Sequence, residues 1–107
     1  MKNFYPYEKF LQGMISLVSG FGTIQERLND AYVFSIINVK VEEMPKDLQY
    51  RFDEINRKMT LEKPIGDEGS VKATTNKMTV ETASEIASEM FDIFLELHKT
   101  YMACKDK

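Results

Sequence analysis

The chain has one cysteine, one histidine, no tryptophan and no surplus of positive charge among its 107 residues. Cys104 alone cannot form an internal disulfide or build a thiolate metal site. His98 lies six residues from it, about 120° away around a helix, so the two cannot pair for nucleophilic catalysis within one helix. A net charge of −3 gives no electrostatic footprint for nucleic acid. No apolar run approaches the roughly 18–20 residues that cross a bilayer, so no membrane span is expected. What is present, 43% hydrophobic and 29% charged residues, suits one globular domain at this length and leaves little room for a second.

The opening Met1-Lys2 with the apolar stretch Phe10 to Phe21 superficially resembles an export signal. Glu8 in the basic region, and Gln12 and Gly13 within the stretch, argue against it, as does the helical period of the segment. A cytoplasmic protein is the expectation, and the single thiol agrees.

Apolar periodicity predicts four main helices and one short helical turn, arranged as an all-α antiparallel bundle. The first spans Tyr7 to Ser19, with Tyr7, Phe10, Leu11, Met14, Leu17, Val18 and Phe21 on its core face. Pro6 suits its first turn, and Gly20 and Gly22 end it. Thr23 and Glu26 form a capping box for a second helix running to about Val39. Its inner face is Ile24, Leu28, Ala31, Tyr32, Ser35 and Val39. The run Ala31 to Ile37 also fits a buried strand, but the cap and period favour helix.

The sequence Glu42-Glu43-Met44-Pro45 stops one helix and starts the next, Lys46 to about Thr60. There Leu48, Phe52, Ile55 and Met59 make a narrow apolar stripe, with Tyr50 pointing away. Asp47→Arg51, Asp53→Arg57 and Glu54→Lys58 are acid-to-base pairs at i, i+4, each contributing about 0.2–0.5 kcal/mol. Pro64, Gly66 and Gly69 mark a loop, and Ser70 caps a short turn, Val71 to Lys77. Thr79 caps the last helix, Val80 to about Cys104. Ala83, Ile86, Ala87, Met90, Ile93, Phe94, Leu97 and Tyr101 form an arc wide enough to meet more than one neighbour, flanked by Phe91, His98 and Met102.

The net charge belongs to this last helix: residues 1–78 hold eleven acids and eleven bases, residues 79–107 six and three. Glu81, Glu85, Glu89, Asp92 and Glu96 fall within about 80° of arc. The plain reading is a solvated face, with acids early in the helix suiting its dipole. The sharper reading is a docking strip for a basic protein partner, since like charges at i, i+4 repel.

A second candidate surface comes from apolar groups in excess of one core face. Val33 and Ile37 lie opposite the main face of the second helix, and Phe34 and Tyr50 are also spare. They point to a homodimer surface, the alternative being that the short fourth segment or the first helix covers them. Neither glycine-rich segment reads as a phosphate site. Gly66-Asp67-Glu68-Gly69-Ser70 is acidic, and Gly20-Phe21-Gly22-Thr23 fits a turn and cap. No cofactor is expected.

Two resemblances follow from these motifs. Glu89-Met90-Phe91-Asp92 resembles the second half of the metal motif of MazG-type all-helical nucleotide pyrophosphohydrolases, which implies Mg²⁺ or Mn²⁺ on carboxylates. The first half is missing, because Glu42-Glu43 is followed by Met44-Pro45-Lys46, with lysine where the third acid belongs. More broadly, the order Gln25-Glu26-Arg27-Leu28, Glu43-Met44-Pro45, Gly69-Ser70 and Met78-Thr79 resembles a group of short bacterial proteins across residues 23–97. That resemblance implies a single-domain bacterial protein and no activity. The leading expectation is a non-enzymatic interaction or regulatory module. The alternatives are the metal-dependent hydrolase and a small-molecule carrier, although no polar cluster on the apolar faces supports a carrier.

Overall fold

The computed structural model describes residues 4–64, 66 and 69–105. Met1, Lys2, Asp67, Glu68 and Lys107, which entered the reading of the termini and the acidic loop, lie outside the described residues. Five α-helices follow one another: α1 (Tyr5–Ser19), α2 (Ile24–Phe34), α3 (Lys46–Met59), α4 (Ser70–Lys77) and α5 (Val80–Lys105). Two 3-10 turns, Ile36–Asn38 and Val41–Glu43, bridge α2 to α3. The protein is all-α, with no strand among the described residues.

α1 begins with Pro6 in its first turn and ends at Gly20, whose N–H reaches the Ser16 carbonyl at 2.9 Å. Gly22 then takes φ +94°, a left-handed conformation that other residues resist. The capping box forms as expected: the Glu26 N–H donates to Thr23 Oγ1, and the Thr23 N–H donates to Glu26 Oε1, both at 3.1 Å. The Thr23 N–H and the Thr23 hydroxyl, both donating to Glu26 Oε1, hold that carboxyl below its ordinary range. Arg27 turns back and donates to the Leu17 carbonyl at 2.8 Å, a cation at the C-terminal end of α1.

The second helix is shorter than its periodicity suggests. It stops at Phe34, and Ser35 leaves helical geometry at φ −139°, ψ −66°. Valine, serine, asparagine and isoleucine dominate the stretch 33–39, and none of them favours helix strongly. The tighter turn also serves packing. In a continuous helix Ile36 would sit at the edge of the inner face. After the break it is fully buried, against Gly13 of α1. A Cβ on Gly13 would stand only 2.7 Å from Ile36 Cδ1, so the glycine permits this close approach.

α3 buries Leu48, Phe52, Ile55 and Met59 as one stripe. Its ion pairs differ from the expected i, i+4 set. Arg57 takes Glu54 at i, i+3, at 3.0 Å, and holds that carboxyl below its ordinary range. Lys58 instead reaches across to Glu89 of α5 at 2.9 Å. Asp47, Arg51 and Asp53 form no ion pair among the described residues. A partner on the neighbouring helix is available to Lys58, and Glu54 is then left to Arg57.

Ser70 is the first residue of α4 rather than its cap, and Gly69 occupies the cap position. Its hydroxyl donates to the Glu62 carbonyl at 2.7 Å and the Thr60 carbonyl at 3.2 Å. Thr74 Oγ1 accepts from the Glu62 N–H at 2.9 Å. Thr79 precedes α5 and caps it, its Oγ1 accepting from the Thr82 N–H. The buried residues of α5, Ala83, Ile86, Met90, Ile93 and Leu97, meet α1, α2 and α3. One hydrophobic core joins all five helices, with Phe10 and Phe52 packed edge to face at 5.5 Å.

α1 departs from expectation on its outward side. Phe10, Met14 and Leu17 are buried, but Leu11, Val18 and Phe21 are exposed, Val18 to 84% and Phe21 to 95%. The seven-residue face is wider than the arc its neighbours cover. α2 takes one side of it through Gly13, and α5 takes the other, where Tyr7 stacks on Phe94 and Tyr101, leaving the outermost positions open.

Candidate interaction site

The acidic ridge of α5 follows from its spacing, and its five carboxylates meet different surroundings. Glu89 is half-buried and bound to Lys58, and Glu96 pairs with Lys99 at 3.1 Å. Glu81, Glu85 and Asp92 are exposed, with no ion pair among the described residues. The ridge therefore keeps three uncompensated charges along more than two turns.

A cleft of about 440 Å³ opens beside the first half of the ridge, between the ends of α3 and α4 and the start of α5. Leu61, Met78 and Ile86 give it an apolar lining, and Glu85 and Glu89 stand along one wall. The lining also carries three cations: Arg57, paired with Glu54, Lys58, paired with Glu89, and Lys77, paired with Glu62 at 3.1 Å. Glu85 is thus the lining carboxylate left without a cation among the described residues.

The residues expected to form an apolar oligomer surface are all exposed: Val33 37%, Ile37 45%, Phe34 73% and Tyr50 76%. Val33, Phe34 and Ile37 surround the break after α2. Tyr50 stands apart on α3, which packs chiefly on α5, α4 and the turn Val41–Glu43.

A larger apolar face lies elsewhere. Tyr7 of α1 stacks on Phe94 and Tyr101 of α5, with ring centroids 5.7 and 4.5 Å apart, and its hydroxyl shares a hydrogen bond with His98 Nδ1 at 3.1 Å. Phe4, just before α1, also meets Tyr101, edge to face with centroids 5.0 Å apart. Along the outer side of this seam stand Leu11, Ile15 and Val18 from α1 and Phe91, Leu95 and Met102 from α5, all exposed. Ile15 and Leu95 fall outside the core arcs, so sequence reasoning passed over them. Their signal is spacing: each lies four residues after another outward apolar residue, Leu11 or Phe91.

Among the described residues no group of three or more histidine, cysteine, aspartate or glutamate side chains is placed to share a metal ion. Glu89 and Asp92 stand one turn apart on the ridge, and Glu89 is held by Lys58. His98 is half-buried and bonded to Tyr7, at the edge of the apolar face. Cys104 is a free thiol near the end of α5. No helix among the described residues is long and apolar enough to cross a membrane. The chain matches no family model, no curated protein and no solved structure.

Proposed function

We propose that the chain is a non-enzymatic interaction module of the bacterial cytoplasm, folded as an antiparallel four-helix bundle with α4 as an added element. In this reading it works as a homodimer and binds a basic protein partner along α5. The observation that carries the partner reading is the unpaired set Glu81, Glu85 and Asp92 beside a cleft with an apolar lining. A lysine or arginine of the partner lays its stem on Leu61, Met78 and Ile86 and its charge against Glu85. Neighbouring carboxylates raise the association rate and make it depend on salt.

The test is charge reversal at positions that the fold does not use. Glu81→Lys, Glu85→Lys and Asp92→Lys are combined, and capture from the organism's extract is compared with the unaltered chain. The captured partner is then purified and its dissociation constant measured at low and high salt. The expected result is a partner with a basic surface, bound about tenfold or more weakly by the triple variant and at raised salt. Equal binding by both chains, insensitive to salt, would remove the ridge from the mechanism.

A further inference from the structure

We infer that the outer face of the α1–α5 pair is where two copies of this chain meet. The inference rests on the homodimer part of the reading above and assigns it a surface other than the break after α2. Leu11, Ile15 and Val18 of α1 and Phe91, Leu95 and Met102 of α5 expose between 37% and 84% of their surfaces. At 100° per residue, Leu11, Ile15 and Val18 lie within about 60° of arc, and Phe91, Leu95 and Met102 within about 40°. Tyr7, stacked on Phe94, is on the edge of α1 that touches α5. Both stripes continue outward from that contact, so they border one continuous face.

Area and charge together identify the occupant. The six side chains expose on the order of 500 Å² per copy, so two copies face to face remove on the order of 1,000 Å² before the rim is counted, the threshold for a specific interface. A two-fold contact presents the same patch to itself, so a charge near its centre meets its own like. The positions along this face, Tyr7, Leu11, Ile15 and Val18 with Phe91, Leu95, His98 and Met102, include no lysine, arginine, aspartate or glutamate. Charges begin at its borders, with Glu8, Asp92 and Lys99, where an interface has its polar rim. The acidic ridge selects a charged partner; this face selects a neutral one of its own shape. Helix pairs of two copies then pack as a four-helix layer, and the ridge stays open to solvent at the side.

Sedimentation across a concentration series tests the face. The unaltered chain is compared with Val18→Lys/Leu95→Lys and with Phe34→Lys/Ile37→Lys. All four positions are exposed, so helicity by circular dichroism should be unchanged. The expected result is a species of twice the 12.4 kDa chain mass for the unaltered chain and the α2 variant, and the chain mass for Val18→Lys/Leu95→Lys. Isotope-filtered NOEs on a mixed sample of unaltered chain give a second readout. They should connect Ile15, Val18 or Leu95 methyls of one copy to the Phe91 ring of the other. A dimer dissolved only by the α2 variant, or intermolecular NOEs confined to Val33 and Ile37, overturns this face and leaves the homodimer standing. A chain monomeric at every concentration overturns both.

Discussion

α1 and α3 are nearly equal in length, fifteen and fourteen residues, and both offer an apolar face to the same core. On α3 the match is complete: every residue of its narrow stripe is buried, and among its large apolar groups only Tyr50 is left outside. On α1 the inner half is buried in the same way, while Leu11, Ile15 and Val18 face outward. The difference teaches that periodicity marks where the apolar positions of a helix lie, and that the fold decides which of them it buries. The fold buries all of the α3 stripe and only the inner half of α1.

The largest test of that contrast truncates one apolar side chain on each helix. Phe52→Ala should cost about 3–5 kcal/mol in urea unfolding, as expected for a fully buried ring. Val18→Ala, measured dilute enough for the chain to be monomeric, should stay within about 0.5 kcal/mol. A large loss from Val18→Ala in the monomer would mean that α1 is as fully used as α3.

Next in size is an effect of high pH where α2 meets α3. Tyr32 is buried and donates to Asn56 Oδ1 at 2.6 Å, and burial pushes its pKa up to about 12. The folded chain therefore keeps a proton that the unfolded chain releases near pH 10. Stability is full below that pH and should fall by on the order of 2–3 kcal/mol as pH rises to about 12. Tyr32→Phe should remove most of this slope in unfolding measured between those limits.

Smaller is the cap that sets α2 against α1. Thr23→Ala should cost about 1 kcal/mol by chemical denaturation. Glu26 has its folded pKa lowered by the Thr23 bonds, so its contribution is present above the unfolded value of 4.5 and fades as pH falls through the folded one. Thr23→Ala should flatten that acid slope. Smallest is Glu54→Gln on the outer side of α3, which should leave the denaturation midpoint nearly unchanged in the same assay.

Much of the helical content is legible in sequence because local chemistry marks it. Thr23 with Glu26, Pro6, Gly20 and Thr79 mark helix ends where the structure has them, and the α3 stripe leaves no ambiguity. The break after Phe34 is not legible, because it answers to a tertiary demand: Ile36 must enter the core opposite Gly13. The pairing of Lys58 with Glu89 is hidden for the same reason, since the partner is 31 residues away. The ridge of α5 is readable from spacing alone, whereas the cleft beside it depends on where α4 closes on α3. The threonines of α4 look like poor helix formers in sequence. In the structure Thr74 bonds backbone at both residue 62 and residue 70, which propensity does not register.

That clasp bears on how the molecule opens. α4 has eight residues, too few to hold a helix unaided, and hydroxyls of Ser70 and Thr74 fasten it to the chain that follows α3. Thr74 is buried, but Ser70 is only half-buried, so its bonds are more open to water than the stripe of α3. Amides of α4 should therefore lose protection in hydrogen exchange before those of α3 and α5, as a separate unit of low opening free energy. Each opening would uncover Met78 and widen the cleft at Glu85, at the expense of the contact that Val71 makes with the core.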